Sequence, residues 1–162
     1  MGYNGLRNSW IFPGQASQFV GMGKDLFDNT EIGKKYYNLG NDILEFDIQD
    51  ISFNGPEEKL KITKFTQPAI FIVSSIISHL LTERGHVPDC VAGHSLGEYS
   101  ALTAAGGISF ETGLELVKIR SNSMYKAGIT NPGTMAAIIG LNMDSVVKLA
   151  NSIKTNEDNV KN

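Results

Sequence analysis

The fold of this chain is decided by residues 91–99, which read Val91-Ala92-Gly93-His94-Ser95-Leu96-Gly97-Glu98-Tyr99. An apolar run ends here in the pattern Gly-x-Ser-x-Gly and a helical pattern begins at once, which is the sequence form of a nucleophile elbow. Gly93 and Gly97 lack side chains, so a strand can turn sharply into a helix and leave the hydroxyl of Ser95 projecting. The backbone N–H of Leu96 would then lie at a helix N-terminus, where developing negative charge is stabilised. The stretch predicts an α/β fold and makes Ser95 the first candidate for chemistry.

The composition is that of a soluble globular protein, because 41% of the 162 residues are hydrophobic and 19% are charged. This length fits one domain together with part of a second. A net charge of -3 gives no general attraction to nucleic acid or to an anionic membrane, so we expect neither partner. Cys90 is the only cysteine and is expected to be a small buried hydrophobe in a reducing compartment.

No targeting signal is apparent in the sequence. The N-terminal residues lack the apolar core of a signal peptide, and Leu6 stands where a myristoylation signal has serine or threonine. Ser74, Ser75, Ser78 and His79 interrupt the most apolar run, so we expect no membrane span. The chain is therefore predicted to be cytoplasmic.

Apolar periodicity and turn residues predict the order of the elements. Thr66 is expected to cap the long helix before Pro68, and the polar loop 13–18 follows the first strand, where α/β proteins bind ligands. Strands are predicted over 9–12 and 90–93, with helices over 22–44 (interrupted near 29–30), 47–53, 56–62, 69–81, 95–105 and 109–127.

Arg120 is an anomaly in the last of these helices. Phe110, Leu114, Val117 and Met124 fall on one face at helical spacing, and Arg120 lies on the flank of that apolar stripe. A guanidinium beside an apolar face needs an anion, which is either an acidic side chain or a ligand. The sequence leaves both alternatives open.

The last part of the chain contains only a strand candidate, Met135–Ile139, and a helix candidate, Met143–Ile153. A single strand and helix have nothing to pair with, so they form the beginning of a unit.

Separated stretches of the chain together resemble the malonyl-CoA:acyl carrier protein transacylase family and the acyltransferase domains of polyketide and fatty acid synthases. The resemblance extends from Trp10 to about Asn142. It is carried by Phe12-Pro13-Gly14-Gln15, Thr66-Gln67-Pro68-Ala69, Gly93-His94-Ser95-Leu96-Gly97-Glu98, Arg120 and Gly133-Thr134-Met135-Ala136-Ala137.

This resemblance implies the architecture and the setting of the protein. Residues 1–130 would form the N-terminal part of an α/β-hydrolase-like core with a parallel sheet and a nucleophile elbow. Residues 131–162 would begin a small ferredoxin-like subdomain, which is incomplete here. We expect a cytoplasmic monomer without metal or cofactor, whose partners are malonyl-CoA and acyl carrier protein.

The resemblance also implies the reaction. Ser95 would attack the thioester of malonyl-CoA, carry the malonyl group as an ester and pass it to the phosphopantetheine thiol of acyl carrier protein. Backbone N–H groups of Gln15 and Leu96 would form the oxyanion hole, and Arg120 would hold the carboxylate of the substrate. Gln67 and His94 are further expected substrate-binding residues.

Two departures from the family pattern stand out. The family usually has glycine where this chain has Ala16, which restricts the loop backbone. The general base of the family is a histidine well beyond the serine, and the chain ends before any such position. His79 and His86 lie on or just after another helix, and the side chain of His94 should point away from its neighbour Ser95. We therefore expect an N-terminal portion of the domain that is inactive alone.

Two other function classes stay open. A serine hydrolase or thioesterase shares the elbow but adds an acidic triad member and does not need Arg120. A non-catalytic fragment that binds acyl carrier protein would keep the pocket without the base. Thioester transfer, hydrolysis and binding without acylation distinguish the three.

Overall fold

The computed structural model describes residues 8–131, 133 and 138–160, with side chains described up to residue 152. The chain divides into two compact units, residues 1–131 and 132–162. The elements of the first unit are β1 (Ser9–Phe12), α1 (Lys24–Asn29), α2 (Glu31–Leu44), α3 (Ile48–Asn54), α4 (Glu57–Leu60), α5 (Thr63–Glu83), β2 (Cys90–Gly93), α6 (Gly97–Ala104) and α7 (Phe110–Thr130); the second unit contains α8 (Met143–Val160).

The two strands pair in parallel, with Ser9 opposite Cys90 and Phe12 opposite Gly93. Parallel strands need a long crossover connection, and helices α1 to α5 supply it. Both strands occupy the residues that the sequence predicts. The chain is therefore an α/β protein with a small parallel sheet, and the carboxyl ends of both strands lead into the loops that hold the candidate site.

The core is built around α5, which packs against α2, α6 and α7. Its most apolar residues, including Phe71, Ile72 and Ile76, have no exposed surface. A helix that is apolar on nearly all sides is expected to be buried. Tyr37 of α2 and Leu114 of α7 complete the same cluster. Burial of α5 therefore fixes the positions of the helices on either side of it.

Helix α5 also meets the length and composition of a membrane-spanning helix, with a mean hydropathy of 1.4. The expectation that its serines and His79 exclude such a span was therefore wrong by this criterion. However, 61% of that window is buried in the fold, as in the core helix of a soluble protein.

The predicted cap of α5 was also wrong. The helix begins at Thr63, and the backbone N–H of Thr66 already donates to the carbonyl of Ile62 over 2.9 Å. Thr66 is buried inside the first turns, and its hydroxyl donates to the carbonyl of Leu60. A threonine hydroxyl can accept from a backbone N–H as a helix cap, or it can donate to a carbonyl earlier in the chain. Thr66 does the second.

Cys90 is exposed, so the prediction that it is buried was wrong. It opens β2 beside exposed Ser9 and Asp89, at the amino end of the sheet. Its sulfur lies 3.0 Å from the hydroxyl of Ser9.

In the second unit, the predicted helix is confirmed and extends to Val160. The side chain of Asn142 accepts a hydrogen bond from the backbone N–H of Ser145 over 2.9 Å, which caps its first turn. The strand predicted over 135–139 falls largely outside the described residues.

Candidate active site

Ser95 lies at the sharp turn between β2 and α6, with a φ of 55°. This left-handed conformation is strained for a residue other than glycine and costs about 1–2 kcal/mol. Two backbone hydrogen bonds hold the turn. The N–H of His94 donates to the carbonyl oxygen of Phe12 over 3.0 Å, and the N–H of Gly97 donates to the carbonyl oxygen of His94 over 2.9 Å. The strand-to-helix geometry predicted for a nucleophile elbow is present.

The two glycines of the elbow are required by close backbone packing. A Cβ atom on Gly93 would lie 2.0–2.2 Å from backbone atoms of Gly97 and Glu98, and one on Gly97 would lie 2.2 Å from the carbonyl oxygen of Phe12. No side chain fits at either position without displacing the backbone. The spacing of the motif is thus a steric requirement of this turn.

Arg120 of α7 contacts the candidate nucleophile directly. Its Nη2 donates to Oγ of Ser95 over 3.0 Å, and its Nη1 donates to Oε1 of Gln67 over 2.7 Å. The Tyr99 ring centroid lies 5.9 Å from the guanidinium carbon. Within the described part of the chain, no carboxylate lies within ion-pair distance of this guanidinium. Of the two anions that the sequence left open, an acidic side chain is therefore not found beside Arg120 among the described residues.

Gln67 has no exposed surface, and its Nε2 donates to the sulfur of Met124 over 3.3 Å. Met124 itself is 40% exposed, so this end of the apolar stripe that the sequence predicted on α7 is not buried. Ser121, which follows Val117 by four residues on the same face of α7, is the last buried residue of this helix among the described residues. Met124 therefore contacts the site and not the core.

The loop after β1 lies against the elbow. A Cβ atom on Gly14 would lie 2.6 Å from the carbonyl oxygen of His94, so only glycine allows this approach. The next residue, Gln15, donates from its side chain to the hydroxyl of Thr63 over 3.3 Å. Among the described residues, the backbone N–H groups of Gln15 and Leu96 have no acceptor, so both remain available as donors.

Ala16 has a φ of 85°, which is the left-handed region where glycine is favoured. Its backbone N–H donates to Oε1 of Gln18 over 2.9 Å, which holds the turn. The restriction that the sequence predicted at this position is therefore present as backbone strain beside the site.

None of the histidines bonds to the hydroxyl of Ser95 in the part of the chain that the structure describes. His79 lies between the hydroxyl of Tyr36 and the carboxylate of Glu83, each at 3.4 Å, and His86 is exposed beyond the end of α5. His94 lies against Gly14. The described residues thus place the hydroxyl of Ser95 beside the guanidinium of Arg120, and no histidine among them bonds to that hydroxyl.

A cavity of about 570 Å³ opens elsewhere, between β1, α1 and α5. Its wall includes Ile11, Phe19 and Ile77 and none of the candidate site residues. The described residues also contain no cluster of three or more His, Cys, Asp or Glu side chains that could hold a metal ion.

Comparison with known proteins identifies the family. Residues 9–160 match the acyl transferase domain family. The chain belongs to this family. It is 46% identical over 134 residues to the malonyl CoA-acyl carrier protein transacylase of Synechocystis sp., covering 83% of this chain and 44% of that relative.

Solved structures agree with this assignment. The acyl-carrier-protein S-malonyltransferase of Bartonella henselae superposes with a TM-score of 0.78 at 36% identity, over 88% of this chain and 47% of that one. A malonyl-transacylase solved in complex with a type II polyketide synthase acyl-carrier protein gives a TM-score of 0.71 at 39% identity, over 75% and 40% of the two chains. The chain thus spans about half the length of the relatives that it matches.

The sequence did not indicate Tyr99 or Thr63 as parts of the site. Tyr99 follows Ser95 by four residues, so helical spacing could have placed its ring near the serine. Thr63 had no such signal, because its contact with Gln15 joins residues 48 positions apart.

Proposed function

We propose that this chain carries the acyl-enzyme serine of a malonyl-CoA:acyl carrier protein S-malonyltransferase that acts in fatty acid or polyketide biosynthesis. The observation that carries the proposal is the contact between Arg120 and Ser95, in which a guanidinium without a carboxylate partner among the described residues lies 3.0 Å from the candidate nucleophile. A planar two-pronged donor suits a carboxylate. The substrate would therefore carry a carboxylate near its reacting carbonyl, as malonyl-CoA does.

The proposed reaction has two half-reactions. The Ser95 oxygen forms a bond to the malonyl carbonyl carbon, the carbon–sulfur bond breaks, and the serine proton leaves through a base to the departing coenzyme A thiolate. The phosphopantetheine sulfur of acyl carrier protein then bonds to the ester carbonyl carbon, the carbon–oxygen bond to Ser95 breaks, and the thiol proton passes through the base to the serine oxygen, which restores the hydroxyl. The coenzyme A thioester is a substrate, and the cycle uses no cofactor and no metal.

The other candidate residues take supporting roles in this proposal. The backbone N–H groups of Gln15 and Leu96 would stabilise the oxyanion of each tetrahedral intermediate. His94 would contribute to substrate binding at the loop after β1, because its ring lies against Gly14. Arg120 would bind the malonyl carboxylate.

The proposed setting follows the family. Residues 1–130 would belong to an α/β-hydrolase-like core and residues 131–162 would begin a ferredoxin-like subdomain. The acceptor would be acyl carrier protein, which is bound by a transacylase of similar structure. We propose a cytoplasmic monomer that binds neither membrane nor nucleic acid.

Mass spectrometry tests the function. The protein expressed from its natural gene is incubated with malonyl-CoA, with Ser95→Ala as the control. We expect a malonyl adduct on Ser95 that acyl carrier protein removes, and no adduct on the control. Absence of the adduct from a folded protein, or its appearance on the control, would contradict the proposal.

The lack of a histidine at Ser95 among the described residues favours a second candidate for the 162-residue chain by itself, namely binding of acyl carrier protein without turnover. We expect this isolated chain to show little or no transfer, because loss of one partner of a serine–histidine pair costs several powers of ten. Tight binding without acylation supports this candidate. Hydrolysis of malonyl-CoA without transfer would indicate a thioesterase instead.

A further inference from the structure

The guanidinium of Arg120 is held from three sides by groups without net charge. Gln67 of α5 accepts one hydrogen bond, Ser95 accepts another, and Tyr99 of α6 presents its ring. A carboxylate in any of these places would pair with the guanidinium and weaken its attraction for a second anion. Neutral partners fix the side chain and leave its positive charge for a ligand.

Gln67 can act only through Arg120 in this arrangement. A guanidinium only donates, so the amide must present its oxygen to Arg120, and its nitrogen then faces the sulfur of Met124. Both ends of the amide are used, and the side chain has no exposed surface. A substrate in the open site would not contact it.

The guanidinium carbon of Arg120 lies over the ring of Tyr99, 5.9 Å from the ring centroid. An aromatic ring at this distance attracts a cation without neutralising it. Tyr99 lies one helical turn after Ser95, so the serine and the ring that steadies its arginine are carried by the same short segment.

We propose that Gln67 and Tyr99 are positioning residues that set the selectivity of this site for acyl donors bearing a carboxylate. This proposal rests on the function proposed above. The sequence predicted that Gln67 binds the substrate directly, and we propose instead that it acts by holding Arg120. Loss of either residue would loosen Arg120 and weaken use of malonyl-CoA. Acetyl-CoA has no carboxylate, so its use would change little.

Substitutions at Tyr99 test the ring. Tyr99→Phe keeps the ring and Tyr99→Leu removes it. The readout is the ratio of malonyl to acetyl adduct formed on Ser95 when the protein expressed from its natural gene is incubated with equal amounts of both coenzyme A thioesters. We expect Tyr99→Leu to lower this ratio at least about threefold, which is the size of effect that a cation–π contact allows. Tyr99→Phe should leave the ratio near that of the wild type.

Substitutions at Gln67 test the amide. Gln67→Glu places a carboxylate against Arg120 and should lower the ratio about tenfold, because the new ion pair competes with the substrate. Gln67→Met keeps the length without the hydrogen bond and should lower it less. Urea unfolding checks that each variant is folded, and the Gln67 pair decides the question if Tyr99→Leu does not fold.

The outcomes separate this inference from the function itself. If the wild type forms no adduct from either donor, the proposed function fails. If the wild type forms malonyl-Ser95 and the variants reduce both adducts equally, the residues are merely structural. An unchanged ratio in Tyr99→Leu and Gln67→Glu would overturn the positioning role while leaving the function in place.

Discussion

At the scale of single residues, the site concentrates backbone strain at two positions. Ser95 and Ala16 both have left-handed backbones, with φ values of 55° and 85°. Each costs on the order of 1 kcal/mol, so the packing around them must overcome that cost. The two residues occupy the loops that follow β2 and β1. The strain is therefore located where the proposed oxyanion donors are presented.

The elbow glycines give the first prediction. Gly97→Ala should destabilise the protein by about 1–3 kcal/mol or more, because its Cβ would lie 2.2 Å from the carbonyl oxygen of Phe12. Gly128→Ala in α7 is the matched control, since a Cβ atom on Gly128 would have no neighbouring atom within 4 Å. This control substitution should raise the free energy of unfolding by up to about 1 kcal/mol, because alanine favours the helix more than glycine does. Urea denaturation measures both, and equal midpoints would contradict the steric account.

Arg120→Lys gives the second prediction. Lysine keeps the positive charge and loses the fork, so it cannot bond Ser95 and Gln67 in the same way. We expect acylation by malonyl-CoA to fall about tenfold or more and acylation by acetyl-CoA to change little. Arg84→Lys, at an exposed helix end, is the control. A wild-type donor ratio in Arg120→Lys would show that charge alone suffices.

At the scale of elements, α2 is tied to the core by Tyr37. Its ring has no exposed surface, and its hydroxyl donates to the carbonyl of Met22 over 3.1 Å. Burial raises the pKa of Tyr37 well above its ordinary value of 10, and the nearby Asp25 carboxylate adds to this rise. The folded protein therefore keeps this proton at a pH where the unfolded chain loses it.

Alkaline unfolding tests the pKa of Tyr37. The pKa is higher in the folded state, so the associated stability is present below pH 10 and is lost as the pH rises above it. The free energy of unfolding should fall by about 1.4 kcal/mol per pH unit from this group. Tyr37→Phe should flatten that slope between pH 10 and 12. The hydroxyl of Tyr36 is only partly buried, so Tyr36→Phe should flatten the slope less. Equal slopes in the wild type and both variants would contradict the assignment of this pH dependence to Tyr37.

The elements were more predictable than the contacts between them. Periodicity placed the strands at 9–12 and 90–93 and the break between α1 and α2, because these signals are local. The start of α5 was missed because Thr66 bonds backwards to Leu60, which no local pattern shows. The neutral surroundings of Arg120 depend on α5, α6 and α7 meeting, so the sequence could predict a need for an anion but not which partners would hold the guanidinium.

At the scale of the whole molecule, the described residues leave much apolar surface open beside the small sheet. Ile11 of β1 is 79% exposed, Phe19 is 64% exposed and Ile77 of α5 is 44% exposed. All three line the cavity between β1, α1 and α5. Parallel sheets are usually covered on both faces, and contiguous apolar surface of this kind generally marks a contact region.

This surface gives the last prediction. The 162-residue chain should bind the apolar dye ANS and raise its fluorescence, because the cavity of about 570 Å³ is large enough for a small aromatic ligand. Ile11→Thr should weaken dye binding, since that side chain lines the cavity. Ile129→Thr is the matched control, because Ile129 is 62% exposed on α7 and outside the cavity. Circular dichroism shows whether each variant is folded. If both substitutions reduce the fluorescence equally, the dye binds general apolar surface and the cavity beside β1 is not its site.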